Sequence, residues 1–251
     1  MTPEVVAGLA AAGCAVAGAF VPSLIGRIPE PEPDPEPEPD PDPDPEPGPE
    51  PGEAEEPKEL YAAIAARPGL RPATVLASAA AGAVIGLSVG PAWSLLFLLP
   101  LVPVGVALAV VDWRTKLLPV SVIAPTYVGL VAAVGLCFVL TRDTDDLLRA
   151  LWGWLIAGGL FFVLWFVHPR GLGYGDVRLS GILGIALGYL GWGPLVVGVY
   201  SGFLIGGLGG GLLVLLRISR TRAIPFGPWM LVGALVGIAA GPALWAHLVT
   251  G

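Results

Sequence analysis

Residues 179–216 read LSGILGIALGYLGWGPLVVGVYSGFLIGGLGGGLLVLL. No charged residue interrupts this run, and a bilayer core needs only about 20 apolar residues per helix. The run is too long for one crossing, so it must be broken. Gly191-Trp192-Gly193-Pro194 supplies the break, because glycine and proline punctuate helices. Two spans result, over 178–192 and 194–216. Working outward with the same measure gives further spans near 4–26, 73–90, 92–111, 119–140, 147–167 and 226–249, the 73–90 and 92–111 spans being separated only by Gly90-Pro91. The reading is an all-α polytopic membrane protein with about eight transmembrane helices.

Composition agrees. The 251 residues are 55% hydrophobic and 13% charged, with a mean hydropathy of +0.77, which excludes an ordinary soluble domain. The net charge of −7 is unevenly spread. Residues 28–72 hold 14 acids and three bases, whereas the rest holds six acids and ten bases and is mildly basic. Proline occupies every odd position from 29 to 51, and Glu or Asp fills the gaps except at Gly48. Alternate prolines forbid helix and sheet, and like charges extend the chain, so this is a disordered, stiff tether. At ~3.1 Å per residue, residues 29–57 could reach roughly 90 Å. A docking arm for a basic partner is the other reading of such a charge run. Residues 59–66 read as a short surface helix ahead of Arg67-Pro68. The division is therefore a first transmembrane helix (1–27), a cytoplasmic Pro/acid linker (28–72) and a membrane domain (73–251).

Orientation follows from lysine and arginine. With the N-terminus outside, the cytoplasmic segments hold Arg27, Lys58, Arg67, Arg71, Arg114, Lys116, Arg170, Arg178, Arg217, Arg220 and Arg222, against Arg142 and Arg149 outside. Both termini are then extracytoplasmic in a multi-pass protein of the cell (inner or plasma) membrane. The bases lack interleaved aromatic platforms, so no nucleic-acid partner is indicated. The two cysteines, Cys14 and Cys137, lie in apolar runs outside any CxxC pair and read as core residues, without a zinc ribbon or redox motif. The first apolar run has no basic stretch before it and reads as a retained helix.

Outside the tract at 30–59 the acids are Glu4, Asp112, Asp143, Asp145, Asp146 and Asp176. An acid in or at the bilayer is costly and is a functional candidate by default. Asp112 ends an apolar run and precedes Trp113-Arg114-Thr115-Lys116-Leu117-Leu118-Pro119. Alone it reads as an interfacial charge paired with Arg114 or Lys116. Asp176 closes Gly173-Tyr174-Gly175-Asp176 at a helix mouth, and the glycines permit a sharp bend and close approach to a substrate strand. The orientation puts both acids on the cytoplasmic face. Two close carboxylates share a proton and titrate together. One can then take a proton from water while its protonated partner polarises a carbonyl, which is peptide hydrolysis without metal or cofactor. A proton relay or ion-transport site uses the same residue type.

Other candidates are weaker. His168 and His247 read as interfacial residues on opposite faces, so no Ser/His/Asp set forms. Most of the eight tryptophans sit near span ends, as interface belts do. Residues 206–211, rich in glycine, read as a tight helix-packing surface inside a span.

These motifs together resemble the type IV prepilin peptidase family of GxGD membrane aspartic proteases. Gly173-Tyr174-Gly175-Asp176-Val177-Arg178-Leu179 is similar to the family's GxGDxKL, and Asp112 through Pro119 to its first aspartate motif. Ile224-Pro225-Phe226-Gly227-Pro228 resembles the family's approach to the last helix, and residues 18–29 its first-helix exit. The resemblance implies Asp112 and Asp176 as the catalytic pair and Gly173 and Gly175 as the active-site turn. Lys116 and Arg178 are secondary candidates. No metal or cofactor is implied. The implied partners are the lipid bilayer and a prepilin or pseudopilin precursor, cut at the cytoplasmic face to remove its basic leader. Bifunctional members carry two CxxC pairs between helices one and two, linked to N-methylation. The Pro/acid tract stands there instead, so methyltransferase activity is expected to be absent. Val120 also follows Pro119 where the family commonly has Asn or Asp.

Two alternatives differ in their expected features. Presenilin-like proteases pair GxGD with Tyr-Asp and a later Pro-Ala-Leu, where this chain has Val111-Asp112 and Ile-Pro-Phe-Gly-Pro. A proton-coupled transporter would place its acids near the midplane on broken helices.

Overall fold

The structure, a computed structural model, describes residues 1–30, 59–169, 172–215 and 225–250, and among these every regular element is a helix. The first apolar segment forms α1 (Pro3–Gly18) and, after a turn at Ala19 and Phe20, the short α2 (Val21–Ile25). The surface helix expected over 59–66 is α3 (Tyr61–Ala65). Then come α4 (Leu70–Val89), α5 (Leu95–Thr115) and α6 (Val120–Thr141). Next, α7 (Thr144–Gly153), a five-residue π-turn (Trp154–Gly158) and α8 (Gly159–Val167) run on as one apolar helix. The chain ends with α9 (Tyr174–Leu190), α10 (Trp192–Leu215) and α11 (Gly227–Thr250).

Six of these helices, counting α7 to α8 as one, are long and apolar enough to cross a membrane; α1 with 16 residues and α9 with 17 are shorter. The protein is thus an all-α polytopic membrane protein. The tether expected over 29–57 lies outside the described residues apart from Pro29 and Glu30, as do Lys58, Arg170, Arg217, Arg220 and Arg222.

The breaks fall where the sequence puts them, at Gly90 (φ 65°) and Gly191 (φ 140°), backbone angles that favour glycine. Several boundaries shift by a few residues. Helix α4 starts at Leu70 instead of 73, since Pro72 sits in its first turn, where a missing N–H costs nothing. Helix α5 continues to Thr115 instead of 111 and stops at Lys116, a left-handed residue (φ 55°) whose N–H donates back to the Asp112 carbonyl at 2.8 Å. Helix α9 starts at Tyr174 instead of 178. Both acids therefore lie inside helix ends.

The most extensive pairings are α10 on α11 and α1 on α4. Small residues permit both, as helices packed in lipid require. On α4, a Cβ at Gly82 would lie 2.8 Å from Cys14 Sγ. Between α10 and α11, a Cβ at Gly233 would come within 2.6 Å of Gly202 Cα, and one at Gly237 within 2.6 Å of Gly198 Cα. The run at 206–211 takes part in this packing through two of its glycines. Gly206 and Gly209 sit tight against Phe226 and against Trp229 of α11, Gly207 faces open space, and Gly210 and Gly211 lie outside the residues with described surroundings. Helix α9 is bound in the same way to the helix before it: a Cβ at Gly188 would sit 3.0 Å from Gly153 Cα.

Candidate active site

Asp112 occupies the last turn of α5 and is only 4% exposed; Asp176 occupies the first turn of α9 and is 7% exposed. The two come from positions far apart in the chain, yet they line one cavity of about 380 Å³. Gly173, Tyr174 and Gly175 line the same cavity, together with Lys116, Leu117, Leu118 and Pro119.

Local structure explains how each acid is held. Asp176 is the third residue of α9, and its Oδ2 accepts the Gly173 backbone N–H at 3.2 Å, half of a capping box. Its other oxygen, Oδ1, is buried and accepts no hydrogen bond from the described residues. The first turn of α9 is pinned to α6 by the Tyr127 hydroxyl, which donates to the Arg178 carbonyl at 2.9 Å. Gly175 abuts the α5–α6 connection so tightly that a Cβ there would lie 2.7 Å from Leu118 Cβ. Gly175 thus serves a close approach and not a positive φ, whereas a Cβ at Gly173 would meet only ordinary contacts, the nearest being Asp176 Oδ2 at 3.4 Å.

Asp112 Oδ2 accepts the backbone N–H of Gly227, the first residue of α11, at 2.9 Å. A carboxylate on the free N–H of a helix start satisfies a donor that has no partner within the helix. Aromatic packing steers Gly227 there. The Phe226 ring lies 5.9 Å from Phe161 and 5.3 Å from Phe203, and Trp113 meets Trp229 edge-on at 6.0 Å. In the same last turn of α5, Thr115 returns its hydroxyl to the Val111 carbonyl at 2.9 Å.

The sequence-predicted residues divide cleanly. Asp112, Asp176, Gly173, Gly175 and Lys116 meet at the cavity, but Arg178 stacks over the Tyr174 ring at 4.6 Å and does not line it. The remaining acids in the apolar helices have local roles at the far end of the chain's hairpins. Asp143 accepts from the N–H groups of Asp145 and Asp146 and caps α7, and Asp146 pairs with Arg149. His168 ends α8 exposed. Among the described residues, no group of three or more His, Cys, Asp and Glu is arranged to hold a metal ion. Sequence reading missed Gly227 as a partner of Asp112, and Pro29 and Tyr61 as cavity wall. For Gly227 the signal was present in Ile224-Pro225-Phe226-Gly227-Pro228; for Tyr61 there was none beyond the short helix.

Comparison with known proteins adds to this geometry. The family profile described as "Type IV leader peptidase family" matches residues 97–241. The chain is 30% identical over 195 residues to "Prepilin leader peptidase/N-methyltransferase" of Aeromonas salmonicida (strain A449), covering 75% of this chain and 62% of that relative. It is 34% identical over 124 residues to "Leader peptidase HopD" of Escherichia coli, covering 47% of this chain and 74% of that relative. The chain thus spans about three fifths of the length of the first of these relatives. No solved structure matches it.

Proposed function

The chain belongs to the type IV leader peptidase family, and from that premise we propose that it is a membrane aspartic endopeptidase removing the basic leader of a prepilin or pseudopilin precursor. The observation that carries the reading is the meeting of two buried carboxylates, Asp112 and Asp176, in one cavity. In the proposed reaction one carboxylate takes a proton from water, and the resulting hydroxide oxygen bonds to the scissile carbonyl carbon. The protonated partner gives its proton to the carbonyl oxygen. As the tetrahedral intermediate collapses, the C–N bond breaks, the leaving amine takes up the proton first removed from water, and one hydroxyl of the diol returns its proton to the partner carboxylate, which restores the pair. The shared proton belongs to the pair and not to one residue. Gly173 and Gly175 keep the backbone near Asp176 thin, so that an extended substrate strand can approach.

The peptidase unit in this proposal is 73–251, preceded by the helix at 1–27 and the linker at 28–72. The excess of lysine and arginine, eleven against two, supports a cytoplasmic active site and extracytoplasmic termini in the cell membrane. Lys116, at the cavity wall, is the secondary candidate the geometry favours over Arg178. The transporter reading has no comparable support, because both acids sit at helix ends and not within broken helices. The activity is proteolysis alone, without N-methylation. The only cysteines, Cys14 and Cys137, are buried and single, where bifunctional members carry CxxC pairs.

The test is cleavage of a co-expressed prepilin by Asp112→Asn and Asp176→Asn variants present at normal levels. Each is expected to lose at least about 100-fold in rate, the usual contribution of a general acid or base. Full processing by either variant would overturn the two-aspartate mechanism. Mass analysis of the cleaved product should show an unmethylated terminus.

A further inference from the structure

The cavity has a wall that neither catalytic motif supplies. Tyr61, the first residue of α3, and Pro29 line it beside Asp112. Both belong to the two ends of the linker, outside the residues matched by the family profile. What holds them there is a carboxylate. Glu30 accepts the backbone N–H of Tyr61 through Oε2 at 3.0 Å and that of Ala62 through Oε1 at 3.0 Å. One side chain thus closes the linker on itself, across 31 positions of sequence, and satisfies two donors at the start of a helix.

A second acid secures the same segment. Glu59 pairs with Arg67 Nε at 2.8 Å and with Arg114 Nε at 3.4 Å, and Arg114 lies two residues beyond Asp112. Tyr61 is buried, only 3% exposed, with its side chain against Thr115 in the turn of α5 that carries Asp112. A five-residue helix cannot hold itself together in water. Its place beside the carboxylates is therefore set by these contacts.

We propose that α3 is part of the active site: Tyr61 is a positioning residue that forms the substrate-facing wall beside Asp112, and Glu30 is the latch that keeps it there. The inference rests on the peptidase reading above. The substrate segment concerned is the peptide strand that crosses the two carboxylates, bounded on one side by the α9 turn and on the other by Tyr61. An aromatic wall of this kind contributes to holding the strand and not to the proton transfers, so its loss falls on KM more than on kcat.

The experiment uses the full chain and the same co-expressed prepilin. Glu30→Ala and Tyr61→Ala should each raise KM about tenfold, as loss of a charge-assisted hydrogen bond or of a packed ring does, with a smaller change in kcat. Glu30→Gln, which keeps one carbonyl acceptor, should give a smaller rise than Glu30→Ala. A benzophenone amino acid at position 61 in an Asp112→Asn background should cross-link to the prepilin, and adding Glu30→Ala should remove most of that adduct. A structural role alone would not produce the adduct. Unchanged KM in Glu30→Ala, or no adduct from position 61 while a probe at Ser121 on the same cavity reacts, would overturn the inference. Lack of cleavage by the unaltered protein would instead count against the peptidase reading itself.

Discussion

Gly227 donates its backbone N–H to Asp112 Oδ2 at 2.9 Å, joining the start of the last helix to the end of α5 across 115 residues. The contact leaves no space for a side chain. A Cβ at Gly227 would lie 2.8 Å from the same carboxyl oxygen. Gly227→Ala therefore pushes Asp112 off its position without removing either acid. A misplacement of about 1 Å can cost on the order of 100-fold in rate. The expected outcome is a loss of that order in prepilin cleavage at normal protein level. Wild-type cleavage by the variant would show that the hydrogen bond does not position Asp112.

The GxGD turn makes a parallel prediction with a different obstacle. Gly175→Ala sets a Cβ 2.7 Å from Leu118 Cβ, a contact that no rotamer of Leu118 can relieve. Helix α9 must then move away from the α5–α6 connection, carrying Asp176 with it. Cleavage should fall at least about tenfold, by the same sensitivity to placement, while Gly207→Ala, facing open space on α10, should leave it unchanged. Comparing initial rates of the two variants decides the matter.

A carboxylate pair also predicts the shape of the pH profile. At low pH both groups are protonated and no base remains; at high pH both are ionised and no acid remains. The rate should therefore trace a bell, with its two limbs belonging to the pair. Asp112→Asn and Asp176→Asn should abolish the bell along with the activity. A profile flat across the acid range for purified enzyme would contradict the shared proton.

The α10–α11 seam should control stability without touching the cavity. Gly237→Leu forces a side chain into a site where even a Cβ would lie 2.6 Å from Gly198 Cα. Overpacking of this kind costs typically about 1–3 kcal/mol. The variant should unfold at lower temperature in detergent, which a thermal melt would register, and Gly129→Leu, facing open space on α6, should not.

Much of the fold was legible because the bilayer imposes one requirement everywhere, an uninterrupted apolar helix. That requirement found the breaks at Gly90 and Gly191. It could not find where α5 stops, because Asp112, Arg114 and Lys116 look like the end of a span, while the backbone keeps its helix to Thr115. Asp112 and Asp176 were legible as rare acids in apolar surroundings. Gly227 and Tyr61 were not, for two physical reasons. Gly227 contributes a main-chain N–H, which every residue but proline possesses, and Tyr61 is brought in by Glu30, one of 14 acids in a tract whose composition hides any single contact. In the run at 206–211, glycine content reports that a close approach is possible but not which glycines make it, and Gly206 and Gly209 do while Gly207 does not.

The tight glycine contact between Gly188 and Gly153 has a mechanical consequence. Helix α9 is fastened along its length to the helix before it, whereas α5 packs chiefly with α4, α11 and α6. Asp176 and Asp112 thus stand on helices with different principal neighbours, while α6 and α11 each touch both of them. The gap between the two carboxyl groups is then set by the joint packing of α5, α6, α9 and α11, and not by the GxGD turn alone.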